Sequence, residues 1–199
     1  KITSLITELI EDGLIKDNGK FDSTGGRRAS VYGLVSDAGF FVGVDVKQYY
    51  INLGLLDFKK HLITSKEKVP YKLENTPESF NALLLIIKTF LNELNPAFVK
   101  DKILGLGLNL SGRINNTTGY SYSYFYFNEE PLSVIIQKEI GIQTFIENDS
   151  RAMAYGEFCN GDSKDACNVL FINMDYGIGL GILIDGKLYY GKSGFGGEF

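Results

Sequence analysis

Apolar residues at Ile2, Leu5, Ile6, Leu9 and Ile10 recur at i, i+3, i+4 spacing, with Lys1, Thr3, Ser4, Thr7, Glu8 and Glu11 between them. That pattern predicts an amphipathic helix over residues 1–12. Gly13 can end it in a left-handed conformation. Residues from Leu14-Ile15 onward read as a strand, and residues 30–35 as its partner, across a loop holding Gly25-Gly26 and Arg27-Arg28. From residue 40 the period shortens. Residues 40–46, 50–57 and 62–69 read as three strands, and their short connections favour antiparallel pairing. Residues 77–94 read as a long helix with Thr76 as N-cap, Pro77 at the first position and Glu78 in the first turn. Phe80, Leu83, Leu84, Ile87, Phe90, Leu91 and Leu94 form its buried side.

Residues 102–110 follow as an apolar strand, 131–139 as a helix stopped by Gly141, and 144–146 as a strand that runs into a helix over 150–158. Residues 168–173, 178–184 and 187–190 supply further strands, the last two joined by the Asp185-Gly186 turn. A helix followed by a β-hairpin is the back half of a winged-helix module. Three antiparallel strands, a helix and another strand is the order of one lobe of an RNase H-like, actin-type ATPase fold. The expected organisation is α/β: a partial winged helix over 1–36, a first actin-like lobe over 37–143, and the start of a second lobe over 144–199. A complete winged helix needs two more helices, and the last element looks unfinished, so truncation at both ends is expected.

At 199 residues and 44% hydrophobic, the chain can bury a core. Its longest apolar run, residues 83–87, is too short to span a bilayer, and no signal-peptide core is present, so a soluble cytoplasmic protein is expected. Cys159 and Cys167 fit no zinc spacing and read as reduced thiols. The net charge of −4 gives no global attraction to nucleic acid or to anionic membranes. Even residues 1–35 balance Lys1, Lys16, Lys20, Arg27 and Arg28 against Glu8, Glu11, Asp12, Asp17 and Asp22. Any DNA contact must therefore be local.

The chemistry concentrates toward the C-terminus. Glu147-Asn148-Asp149 stands at a strand-to-helix junction, where α/β sheets bind small polar ligands. Two glycine-rich stretches follow, 175–181 and 191–198, which let backbone approach a ligand closely. Together they suggest a polyol or sugar pocket. Asp149 could instead serve only as the N-cap of the next helix. Tyr120, Tyr122, Tyr124 and Tyr126, with Phe125 and Phe127, form either an aromatic loop over the lobe or a wall of the cleft, since sugar rings stack on aromatic faces. His61 has no partner pattern and reads as structural or exposed.

Taken in order, the winged-helix half, the actin-like lobe, Ile146-Glu147-Asn148-Asp149-Ser150-Arg151-Ala152, Gly177-Ile178-Gly179-Leu180-Gly181 and Gly194-Phe195-Gly196-Gly197-Glu198 resemble the ROK family of sugar-responsive repressors and sugar kinases. The resemblance runs over essentially the whole chain. It implies that Asn148, Asp149 and Glu198 bind sugar hydroxyls, with Ser111, Gly112 and Gly194 bordering the same pocket. Carboxylates and amides supply the paired acceptors and donors that vicinal hydroxyls need. In the family's kinases the matching Asp is also the catalytic base. Those kinases carry an Asp-x-Gly-Gly-Thr phosphate loop where this chain has Asp45-Val46-Lys47-Gln48-Tyr49, and a Gly-Thr-Gly where it has Asp175-Tyr176-Gly177. Both departures oppose nucleotide binding.

The expectation is therefore a repressor of carbohydrate metabolism rather than an enzyme, with an ATP-dependent sugar kinase as the alternative. Its partners would be operator DNA, a sugar or sugar-phosphate effector and further copies of itself, with no membrane. Thr3, Ser4 and Thr7 are expected to face the major groove, Lys1 to touch the DNA backbone, and Arg27 or Arg28 to reach phosphate or the minor groove. No cofactor is expected within these residues. The resemblance implies a zinc site only in residues that would follow Phe199.

Overall fold

The computed structural model describes residues 2–20, 29–95, 102–127, 129–163 and 166–198. Helix α1 (Ile2–Glu11) ends as its sequence predicts. Gly13 adopts φ +70°, its N–H donates to Ile10 O at 3.0 Å, and Leu14 N donates to Leu9 O at 3.0 Å. This paired Schellman closure satisfies carbonyls that the helix would leave open. Strands β1 (Ile15–Lys20) and β2 (Ser30–Leu34) pair antiparallel, Ile15 opposite Leu34. No residue of α1 is buried, and Ile2 and Leu5 on its apolar side are 76% and 56% exposed. Lys1, Arg27 and Arg28, the basic residues expected at DNA, lie outside the described residues.

Strands β3 (Phe40–Val46), β4 (Tyr50–Asp57) and β5 (Leu62–Pro70) form the expected antiparallel meander. Helix α2 (Pro77–Glu93) starts where Ser79 N donates to Thr76 Oγ1 at 3.2 Å. It leads to β6 (Ile103–Leu110), parallel to β3. A small hairpin, β7 (Ile114–Asn115) with β8 (Tyr120–Ser121), precedes helix α3 (Leu132–Ile140), which Gly141 terminates at φ +78°. Strand β9 (Thr144–Asn148) then runs parallel to β6.

The resulting sheet has the order β5-β4-β3-β6-β9. Its inner face carries Val42, Val44, Val46, Leu106, Leu108, Leu110 and Ile146, and Leu83, Ile87 and Phe90 of α2 with Leu132 and Ile136 of α3 complete the same core. Alternation explains the choice of face, because successive strand side chains point to opposite sides. Phe41 and Phe145 point outward and stay exposed, and so does Leu104, because the register between β3 and β6 shifts at Phe40-Phe41 and breaks the alternation at the start of β6.

This topology corrects the expected lobe boundary at residue 144. Hydrogen bonding to β6 places β9 in the first sheet, so the chain crosses over only with helix α4 (Asp149–Asn160). Strands β10 (Val169–Met174), β11 (Ile178–Ile184) and β12 (Lys187–Leu188) form a separate antiparallel sheet in that order. The last strand is shorter than expected, and the Asp185-Gly186 turn before it has φ of 51° and 71°. Helix α4 packs on this second sheet through glycines: a Cβ at Gly181 would lie 2.3 Å from Ala154 Cβ and 2.8 Å from Ser150 O. Among the described residues no helix is long and apolar enough to cross a membrane.

Candidate functional site

Three parallel strands, β3, β6 and β9, end at one edge of the first sheet, and the residues just past their ends are Lys47, Ser111-Gly112 and Asp149. Facing them across a cleft of about 340 Å³ are Asn173, Asp175, Tyr176 and Gly177 around the β10–β11 turn, and Gly197-Glu198. Carboxyl ends of parallel strands are the usual ligand edge of an α/β sheet, and this volume suits a small polar molecule. A larger hollow of about 590 Å³, between β5 and the end of α2, is lined by Phe40, Leu55, Phe90 and Leu94 among others. Its exposed surface is predominantly apolar, although Asp37, Asp57, Lys66 and Glu93 also line it, whereas that of the interlobe cleft is predominantly polar.

Asp149 is the polar centre of that cleft. Its Oδ2 accepts from Ser111 Oγ at 2.9 Å and its Oδ1 from Ser150 N at 2.7 Å. A carboxylate has about four acceptor positions, so hydroxyls of a ligand can still bind. Asn148, not Asp149, is the N-cap of α4: its Oδ1 accepts from Arg151 N at 3.0 Å. Its Nδ2 donates to Gly112 O at 3.0 Å. The buried amide thus clamps the Ser111-Gly112 turn to the strand-to-helix junction and keeps one Nδ2 hydrogen for a ligand. Gly112 has φ +88°, and a Cβ there would lie 2.3 Å from Ser123 Oγ.

The structure therefore gathers Ser111, Gly112, Asn148, Asp149 and Glu198 around one cleft. Gly194 is not part of its lining, contrary to expectation. It turns at φ +84° against Asn115, on the far side of the turn that carries Glu198. The aromatic stretch is also absent from the cleft wall: Phe125 is buried against Phe80, and Tyr122 meets Phe195 edge-on with ring centroids 5.5 Å apart. Those aromatic rings cover the lobe and brace the glycine-rich turn. His61, 70% exposed in its side chain, pairs with Asp57 at 3.1 Å in the β4–β5 turn, away from the cleft. Burial pushes the Asp57 carboxyl up, but hydrogen bonds from the His61 backbone and ring and from Lys59 N outweigh it and hold its pKa below the ordinary carboxylate value.

Two features escaped sequence reasoning. Lys47 extends under the cleft, 3.4 Å from Asp45 Oδ1 and 3.5 Å from Met153 Sδ on α4, while Tyr49 contacts Tyr176 edge-on at 5.1 Å. The β3–β4 turn thus meets both α4 and the β10–β11 turn. Arg151 is fully buried and pairs through Nε with Glu147 Oε1 at 2.7 Å. The i, i+4 spacing of Glu147 and Arg151 was a signal for the pair, but not for its burial. Cys159 and Cys167 are free thiols, and among the described residues no group of three or more His, Cys, Asp or Glu side chains converges to hold a metal ion.

A family model described as the ROK family matches residues 41–199, and the chain belongs to that family. The xylose repressor of Bacillus subtilis (strain 168) is 29% identical over 199 residues, 99% of this chain and 51% of that protein. The glucokinase of Streptomyces coelicolor is 31% identical over 163 residues, 81% of this chain and 49% of its own length. Among solved structures, a ROK family transcriptional regulator, a homolog of the E. coli MLC protein, superposes with a TM-score of 0.78 at 23% identity, over 99% of this chain and 50% of that one. The chain spans about half the length of these relatives.

Proposed function

We propose that the complete protein is a sugar-responsive, DNA-binding transcriptional repressor of carbohydrate metabolism. One observation carries the choice within the family. The repressor and the regulator structure match over 99% of the chain, whereas the glucokinase matches over 81%. That difference has the size of the segment ahead of residue 41, where the family model starts. The segment is a helix and hairpin whose apolar helix face stays largely exposed among the described residues, which supports its reading as the second half of a winged helix. Thr3 and Thr7 are exposed on α1, although Thr7 Oγ1 also bonds Thr3 O at 3.0 Å, and Ser4 lies between them. In this reading these three face the major groove, Lys1 contacts the DNA backbone and Arg27-Arg28 sit in the wing. The protein works in the cytoplasm as a homo-oligomer, and Ser111, Gly112, Asn148, Asp149 and Glu198 take a sugar or sugar-phosphate effector. Any zinc would be held by residues that follow Phe199.

Replacing both Arg27 and Arg28 with Ala is expected to weaken operator binding on every sequence and to flatten the slope of log affinity against log salt by about one unit per lost phosphate contact. Filter or fluorescence binding at several salt concentrations measures both. An unchanged slope would remove the wing from DNA recognition.

The kinase alternative draws on Asp149, which lines the cleft and which the family resemblance matches to the base of the kinases. Against it, in this reading, Lys47 and Tyr49 in the β3–β4 turn, and Asp175 with its negative charge in the opposite turn, replace the phosphate-cradling residues of the family's kinases. A base without that cradle cannot align ATP for in-line transfer. The complete protein is therefore expected to show no sugar-dependent ATP turnover. Turnover that Asp149→Asn abolishes would make it a kinase.

A further inference from the structure

We infer that Arg151 is a positioning residue for effector recognition: it anchors the turn after β12 so that Glu198 faces Asp149 across the cleft. The inference rests on the reading of Glu198 as an effector ligand.

A fully buried guanidinium is costly unless every side of it is bonded, and an apolar replacement often gives equal stability, so its retention calls for a structural use. Here its partners come from three separate segments. Nε binds Glu147 Oε1 at 2.7 Å on β9, Nη2 binds Ile114 O at 2.7 Å on β7, and Nη1 reaches Gly196 O at 3.4 Å in the turn. The guanidinium carbon also lies 5.6 Å from the Tyr190 ring centroid, just ahead of the same turn. Glu147 is fixed in turn by Asn116 Nδ2 at 3.0 Å. A planar fork with donors in fixed directions can tie these three segments together, whereas an ammonium cannot reach all of them at once.

The turn is closed by two backbone hydrogen bonds, Gly196 N to Tyr190 O at 2.8 Å and Glu198 N to Phe195 O at 3.1 Å, and Tyr122 packs edge-on against its Phe195 ring. Its polar ties to the first-lobe loop and α4 are Arg151 to Gly196 O and Asn115 Nδ2 to Ser193 O, the latter at 3.3 Å. Glu198 lies two residues beyond Gly196, so loosening either tie changes where its carboxylate stands.

A double-mutant cycle on sugar affinity tests this in the complete protein, titrated calorimetrically with xylose and with glucose. Arg151→Lys keeps the charge and loses the fork. Asn115→Asp keeps the side-chain oxygen that accepts from Thr117 N and Thr118 N but loses the donor to Ser193 O. Each is expected to weaken binding, Arg151→Lys by about tenfold and Asn115→Asp by about threefold, in line with lost hydrogen bonds. In a Glu198→Gln background both effects should largely vanish, because a misplaced group no longer matters once that group is gone. Effects that add to Glu198→Gln in full, or an unchanged affinity in Arg151→Lys, would overturn the positioning role. If Arg151→Lys fails to fold, the Asn115→Asp cycle decides alone, and additivity there overturns the inference. Glu198→Gln without effect by itself, or no binding of either sugar to the unaltered protein, would instead remove the effector reading and this inference with it.

Discussion

Asp149→Ala in the complete protein is expected to leave operator binding intact and to abolish release by the effector. The side chain lies at the end of β9, already oriented by Ser111 Oγ and Ser150 N, so a sugar hydroxyl meets a carboxylate that needs no reordering. Removing a charged hydrogen-bonding partner costs about 1.5–3 kcal/mol, roughly 10- to 150-fold in affinity. A ligand shifts the balance between two protein states only through its differential affinity for them, so a loss of that size removes most of the response. Calorimetric titration of xylose, glucose, amino sugars and their phosphates, beside operator binding with and without the best ligand, reads both halves. Unchanged affinity for that ligand would remove Asp149 from the site. Operator binding lost together with sugar binding would point to a damaged fold instead.

Gly181→Val is expected to cost at least about 1–3 kcal/mol of stability, the usual cost of overpacking. An added Cβ would meet Ala154 Cβ at 2.3 Å and the Ser150 carbonyl at 2.8 Å, and a backbone atom cannot rotate away. Helix α4 would have to lift from β11, carrying Asp149 and Ser150 with it. For a protein of this size each 1 kcal/mol lowers Tm by about 2–4 °C. Gly43→Ala in β3 is the control, because a Cβ there meets nothing within 4 Å. Equal Tm values for the two variants would show that the close approach of α4 to β11 is not what holds the second sheet.

The elements were largely legible because their signals are local. The i, i+3, i+4 spacing of α1, the Thr76-Pro77-Glu78 start of α2 and the left-handed glycines at 13 and 141 concern residues within a turn or two of one another. Along β3 and β4 the alternation of side chains matches the division into core and outer face. Asn148 and Asp149 were legible as polar groups at a strand-to-helix junction, Ser111 and Glu198 through the family resemblance, and the structure brings all four to one cleft.

Pairing between distant segments was not legible. Residues 144–148 have the same pattern whether they open a second lobe or close the first sheet, and only hydrogen bonding of Leu106 through Leu110 to Thr144 through Asn148 decides for the latter. The roles of neighbouring Asn148 and Asp149 divide according to backbone direction at the junction: one caps the helix and clamps Gly112, the other faces the cleft. Arg151 gave no sign that it would be buried, because its burial is made by Glu147, by Ile114, and by Tyr190 and Gly196 of one turn, which converge from three segments of the chain. Local periodicity and capping thus determined what this chain forms. Long-range register and close packing decided which of its polar groups face a ligand and which hold the fold, since a side chain's environment is set by neighbours that its own stretch of sequence does not contain.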